Sequence, residues 1–189
     1  MATARGARLL RATAVGKRRG LMVLALLIAT LAVGALALPA VGDMSDRGVG
    51  IVEFELARTS EKASEYYDQL GERGRDAARE SLYLDYPYLI LYGLFFAGSC
   101  LVVAARAAER GMARLAGLGR PLAWGALVAA ACDAVENFAL LMVLGGHTGQ
   151  PWPGIAFTFA SAKFLLLIAA ALYAIVGFTM TLRRSPAPG

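Results

Sequence analysis

The sequence predicts an all-α protein, a polytopic four-helix transmembrane bundle with a helical, acidic extracytoplasmic loop between spans 1 and 2. Of its 189 residues, 58% are apolar and 17% are charged, whereas soluble domains average about 45 to 50% and about 25%. The mean hydropathy of +0.56 comes from a few long apolar runs of the kind that cross bilayers. Basic residues cluster between these runs, as they do in cytoplasmic loops.

The chain opens with a basic segment, residues 1–20, which we expect to be cytoplasmic. This segment contains no acid and six cations: Arg5, Arg8, Arg11, Lys17, Arg18 and Arg19. Leu21 to Ala40 then has no charge, and its 20 residues extend about 30 Å as a helix, the thickness of the hydrocarbon core. Span 1, residues 21–42, is either a retained signal anchor or a cleaved signal peptide. We favour the anchor because the apolar part of a signal peptide is usually shorter, about 7 to 15 residues.

Residues 43–82 form the predicted extracytoplasmic loop. Between residues 43 and 81 it has ten acids against six cations, and a segment of this length is translocated largely regardless of its charge. Residues 60–70 lack Pro and Gly, and their apolar side chains recur at helical spacing. Thr59 or Ser60 can cap this helix and Gly71 can end it. Residues 51–56 alternate apolar and acidic side chains, but a lone strand leaves its edges unpaired, so we expect an interfacial helix.

Residues 83–189 hold the other three spans, predicted at about 83–105, 122–146 and 154–182. The connector between spans 2 and 3 has a strong excess of arginine, which marks a cytoplasmic loop. Span 4 ends at Arg183 and Arg184. Both termini are therefore expected in the cytoplasm, and the protein in the plasma or inner membrane as a multi-pass protein.

Four polar side chains are expected near the middle of the bundle. Asp133, Glu136 and Asn137 follow one another at i, i+3 and i+4, and therefore share one face of span 3. Glu136 and Lys163 of span 4 lie at a matching depth of roughly 14 Å. The sequence therefore predicts a Glu136–Lys163 ion pair, with Asn137 adding hydrogen bonds. Asp133 then has no obvious cation, and is either protonated or in contact with water or a bound cation.

Span 2 carries a mixed aromatic and polar stripe that includes Asp85, Tyr88 and Tyr92. Pro87 is expected in the first turn of this span, where its missing N–H costs no hydrogen bond. We predict an outward-facing pocket walled by Tyr88, Tyr92 and Phe159. Its floor is expected to be Asp133, Glu136, Asn137 and Lys163. The alternative is a purely structural role, in which these polar groups only hold the helices together.

Other chemistry has little support in the sequence. Cys100 and Cys132 stand on different spans without a CxxC motif, and His147 is the single histidine, whereas metal sites rarely rest on one imidazole. No phosphate-binding loop, nucleophile elbow or HExxH motif occurs. We expect no metal, no cofactor and no nucleic-acid partner, because the basic residues form topological clusters rather than one patch.

Three function classes remain. The first is a protein whose pocket binds a small cationic, amphipathic or lipid-like ligand, and this class leads because the polar groups carry excess negative charge. The second is an accessory subunit whose polar face meets a membrane partner or a second copy of the chain. The third is an enzyme acting on a lipid-like substrate, with Asp133 or Glu136 as general acid or base. No sequence motif decides whether the protein is an enzyme.

Overall fold

A computed structural model describes residues 2–183, with side chains described from Gly16 to Leu182. Five helices make up the described chain: α1 (Ala2–Ser45), α2 (Ile51–Glu55), α3 (Ser60–Glu109), α4 (Ala113–Leu144) and α5 (Trp152–Arg183). The side chains of Arg5, Arg8 and Arg11 lie outside the described residues, as does Arg184.

The predicted all-α four-helix bundle is confirmed. Helices α1, α3, α4 and α5 are each long and apolar enough to cross a membrane. Consecutive long helices run antiparallel, because Gly34 and Val23 of α1 lie beside Tyr88 and Gly98 of α3 in reversed order. The same reversal relates α4 to α5. Short connections between long helices favour this arrangement.

The outer-loop helix and span 2 form one element, α3, which is longer than the predicted span. Thr59 caps its start, since its hydroxyl accepts a hydrogen bond from the amide of Lys62 at 3.2 Å. Gly71 interrupts the helix with φ 62° and ψ −175°, a conformation that suits glycine. The helix continues immediately afterwards, so Pro87 lies well inside α3. The expectation that Pro87 occupies a first turn was therefore wrong, and the carbonyl one turn earlier loses its helical donor.

Small residues bring α3 and α4 close together. Ala126 and Ala129 are fully buried, and a Cβ on Gly93 would lie 2.9 Å from the Cβ of Ala130. Near the other end of the interface, a Cβ on Gly119 would lie 2.9 Å from the carbonyl oxygen of Cys100. Membrane helices gain van der Waals contact when small side chains let their backbones approach. Helix α3 is thereby fixed against α4, and it also contacts α1 and α5.

Helix α1 lies at the edge of the bundle. Only 6% of the residues in its most apolar 18-residue stretch are buried. The helix packs mainly against α3. At one point of contact a Cβ on Gly34 would lie 3.1 Å from the ring of Tyr88. Large side chains such as Leu21, Ile28 and Leu31 point away from the bundle. An apolar exposed face of this kind suits a helix surrounded by lipid.

The acidic loop folds onto one end of the bundle. Phe54 of α2 and Leu70 of α3 are fully buried in a cluster that includes side chains of α4 and α5. Tyr66 packs against the same cluster, and the ring of Tyr67 lies under the guanidinium of Arg75 at 4.3 Å. Side chains of the loop thus close this end of the bundle.

Hydrogen bonds also join the loop to the connector between α4 and α5. The hydroxyl of Ser64 donates to that of Thr148 at 2.8 Å, and the amide of Gln150 donates to Ser60 Oγ at 3.1 Å. The guanidinium of Arg79 donates to the carbonyl of Leu144 at 2.6 Å. This last bond satisfies a carbonyl at the C-terminal end of α4 that has no partner within the helix.

The orientation of the bundle gives the first testable prediction. Reporter domains fused after Gly189, which lies outside the described residues, or inserted within residues 110–119 should be cytoplasmic. Reporters near Gly71 and His147 should be extracytoplasmic, because the basic loops are retained in the cytoplasm. Alkaline phosphatase and green fluorescent protein fusions would measure this. A cytoplasmic signal at Gly71 would contradict the topology and place the loop on the opposite face.

Candidate functional site

Lys163 of α5 lies at the centre of a cluster of buried acidic side chains. Its Nζ is 2.7 Å from Oδ1 of Asp133 and 3.0 Å from each carboxylate oxygen of Glu136. Glu136 and Asp133 are 0% and 2% exposed, and Lys163 is 6% exposed. The predicted Glu136–Lys163 ion pair is therefore present.

The expectation that Asp133 lacks a cation was wrong. Asp133 and Glu136 are three residues apart on α4, so both carboxylates point to the same side of the helix. Lys163 reaches between them and makes its shorter contact with Asp133. The second oxygen of Asp133 accepts a hydrogen bond of 2.6 Å from the hydroxyl of Tyr92. Asp133 thus joins α4 to both α3 and α5.

Asn137 has a different partner from the one we expected. Its side-chain Nδ2 donates to Oδ2 of Asp85 at 2.6 Å, and this bond joins α4 to α3. No hydrogen bond from Asn137 to Glu136 or Lys163 is found in the described part of the chain. Asn137 is one residue beyond Glu136, and its side chain is therefore rotated by about 100° toward α3.

Glu55 of α2 is the cluster member that sequence reasoning missed. Its Oε2 lies 3.5 Å from Nζ of Lys163, and its side chain is 13% exposed. The burial of neighbouring Phe54 brings α2 down onto the bundle and carries Glu55 with it. Burial raises the pKa of Glu55 above its ordinary value of 4.5, and the negative charge of Asp133 raises it further, against the opposing effect of Lys163.

The cluster contains more acid than base. Three carboxyl groups, on Glu55, Asp133 and Glu136, contact the ammonium group of Lys163. A fourth, on Asp85, accepts a hydrogen bond from neighbouring Asn137. Uncompensated charge costs several kcal/mol at bilayer depth. Oε2 of Glu136 is fully buried and makes no hydrogen bond within the described chain, although it lies 3.0 Å from Nζ of Lys163 as part of the ion pair. Protons or a bound cation are required to balance such a cluster.

A cavity of about 280 Å³ opens beside the cluster, between α1, α2 and α3. Its polar lining comes from Glu55, Asp85 and Ser81, and the ring of Tyr88 forms part of its wall. Aliphatic side chains of α1 complete the wall, including Val33 and Val41. Glu55 and Asp85 therefore belong both to the cavity lining and to the polar cluster.

Only some of the predicted pocket residues line this cavity. Asp85 and Tyr88 line the cavity, and Tyr88 makes an edge-on ring contact with Tyr92 at 5.5 Å between centroids. The floor residues are buried behind them: Asp133, Glu136, Asn137 and Lys163. The other two predicted wall residues do not line this cavity: Tyr92 is buried within the bundle, and Phe159 is half-buried on α5, one turn before Lys163. Sequence reasoning did not include α1 in the wall, where Gly34 lets the ring of Tyr88 approach the helix closely.

Among residues 16–182, no group of three or more His, Cys, Asp or Glu side chains has the geometry to hold a metal ion. The three carboxyl groups around Lys163 are instead paired with its ammonium group. No protein-family model, curated protein or solved structure matches the chain.

Proposed function

We propose that this four-span membrane protein binds a small organic cation in the cavity between α1, α2 and α3. The observation that carries the proposal is the pair of carboxyl groups, Glu55 and Asp85, that line this cavity beside a cluster with excess negative charge. A bound cation would supply positive charge where Lys163 alone supplies too little. Because the pocket is partly dehydrated, such a pairing is stronger than it would be in water.

The lining of the cavity favours an amine with a short apolar substituent. The carboxylates of Glu55 and Asp85 can accept charge-assisted hydrogen bonds from an ammonium group. The ring of Tyr88 offers a face for a cation–π contact, while Val33 and Ala37 of α1 provide apolar surface. At about 280 Å³, the cavity is near the lower limit of ligand pockets, about 300 Å³. This size favours a small amine over a sterol or a whole lipid.

The second testable prediction concerns Asp85. We expect Asp85→Asn to weaken binding of n-butylammonium at least tenfold, since removing one partner of a buried charge pair costs about 2 kcal/mol or more. Asp68→Asn, which removes an exposed carboxyl of the outer loop, should leave the affinity unchanged. Calorimetric titration of the protein in detergent would measure both, with n-butanol as the uncharged ligand of similar shape.

The pH dependence of the same titration provides a further check. Glu55 must be ionised to bind a cation, and burial raises its pKa above 4.5. Binding should therefore weaken as the pH falls toward Glu55's raised pKa, before exposed carboxyls are protonated. Equal binding of n-butanol and n-butylammonium, or an Asp85→Asn affinity equal to that of the unchanged protein, would contradict the proposal.

An assembly role is the second candidate, and the number of helices that the buried cluster joins favours it. Lys163, its three carboxyl contacts and the Tyr92–Asp133 hydrogen bond join α2, α3, α4 and α5. Interhelical polar contacts of this kind contribute about 0.5 to 2 kcal/mol each in model systems. If Asp85→Asn lowers the melting temperature while no amine binds to the unchanged protein, the cluster holds the bundle together and the cavity is not a ligand site.

A further inference from the structure

A groove larger than this cavity runs along the outside of the bundle between α1 and α3. Its volume is about 960 Å³, and its lining is almost entirely aliphatic. Arg19 of α1 lies at one end, and Ala29 of α1 and Leu94 of α3 lie toward the other. This groove shares no lining residue with the cavity that contains Glu55 and Asp85.

Small side chains on the facing helices create the groove. Ala25 and Ala29 of α1 face it from one side, and Ala97 and Gly98 of α3 from the other. The helices nevertheless touch there, because a Cβ on Gly98 would lie 3.2 Å from Cγ2 of Val23. Alanine and glycine leave the space beside this contact unfilled. An apolar occupant would regain the dispersion contacts that these walls lack.

The length of the groove matches one leaflet of a bilayer. Arg19 and Ala29 are ten residues apart on α1, which corresponds to about 15 Å along the helix axis. The hydrocarbon core of a bilayer is about 30 Å thick, so one leaflet contributes roughly half of that distance. An acyl chain whose headgroup lies beside Arg19 would therefore end near Ala29, at the middle of the membrane.

The charge at the mouth of the groove selects the headgroup. Lys17, Arg18 and Arg19 are consecutive and exposed, and no salt bridge among residues 16–182 involves any of them. Basic residues at the membrane surface attract anionic lipids. A guanidinium group can also donate two parallel hydrogen bonds to a phosphate.

We propose that this groove binds an anionic phospholipid, with its phosphate on Arg19 and one acyl chain between α1 and α3. A parallel second copy of the chain is a poorer occupant, because it would bring two clusters of three cations together at the mouth. The proposal is independent of the amine site, since it uses different residues and a different ligand.

Native mass spectrometry of the intact protein in detergent tests this proposal. Dioleoylphosphatidylglycerol should form a complex with the protein at lower lipid concentrations than dioleoylphosphatidylcholine does. The two lipids have the same acyl chains, but phosphatidylcholine has no net charge. Arg19→Gln should weaken phosphatidylglycerol binding about fivefold, since each basic residue near an anionic lipid contributes about 1 kcal/mol. Arg120→Gln removes an exposed arginine of α4 that does not line the groove, and should leave this affinity unchanged.

A second pair of variants tests the position of the acyl chain. Ala25→Trp places a large ring in the groove and should reduce phosphatidylglycerol binding. Ile28→Trp places the same ring on an exposed part of α1 outside it, and should have no effect. Ala25 is exposed, so the ring does not displace core side chains, and an unchanged melting temperature would verify folding.

Each of three outcomes would overturn the proposal. Equal retention of the two lipids would mean that the groove holds only bulk membrane lipid. Equal losses for Arg19→Gln and Arg120→Gln would mean that diffuse surface charge attracts the lipid. A lipid-free dimer that Ala25→Trp dissociates would mean that a second copy of the chain fills the groove.

Discussion

Lys163→Met should destabilise the folded protein by about 3 to 5 kcal/mol, the usual cost of removing one partner from a buried ion pair. The ammonium group contacts Asp133, Glu136 and Glu55, so its loss leaves three carboxyl groups without their common cation. Thermal unfolding in detergent would measure the effect. Lys62→Met is the matched control, because Lys62 is exposed and its ammonium group contacts only side chains of its own helix, Glu65 and Tyr66, among those described. We expect no resolvable change in its melting temperature.

Removing the carboxylates together with Lys163 should restore stability in steps. Lys163→Met with Glu136→Gln should recover part of the loss, and a further Asp133→Asn change should recover more, because each neutral amide replaces a stranded charge. The structure predicts incomplete rescue by the double variant, since Asp133 makes the shorter contact with Lys163. Additive losses in the double variant would show that Glu136 and Lys163 are not coupled.

Phe54→Ala should destabilise the protein by about 3 to 5 kcal/mol, the range for removing a buried aromatic side chain. Phe54 is 0% exposed and packs into the cluster that joins the loop to the bundle. Its loss leaves a cavity beneath α2, a helix of only five residues that has little stability of its own. Denaturation in detergent would measure the change. Val52→Ala, on the exposed face of α2, should have little effect.

The same variant connects the loop to the proposed amine site. If α2 detaches, Glu55 leaves both Lys163 and the cavity, and n-butylammonium should bind more weakly. Hydrogen exchange would report this directly, through faster exchange of amides 51–57 in Phe54→Ala than in Val52→Ala. If Phe54→Ala exchanged no faster and bound the amine normally, α2 would not depend on Phe54 for its position, and Glu55 would be held by Lys163 alone.

Hydropathy and charge were enough to predict the four spans. A bilayer requires about 20 predominantly apolar residues for each crossing, and the chain forms four helices that are long and apolar enough. The helix cap at Thr59 and the helix break at Gly71 could also be predicted from the sequence, because hydroxyl caps and glycine conformations are local properties of the backbone. The matched depths of Glu136 and Lys163 followed from the same arithmetic of helix rise.

The partners of the polar side chains depended on tertiary structure. Asp133 contacts Lys163, and Asn137 contacts Asp85, because the rotation of each helix about its axis is set by packing against its neighbours. Glu55 enters the cluster from a loop that hydropathy places outside the membrane, since burial of Phe54 decides where α2 lies. The side chains of α1 that line the cavity and the groove could likewise not be predicted from the sequence. Local patterns determine which segments form helices and cross the bilayer, whereas contacts between residues far apart in the chain determine which side chains meet.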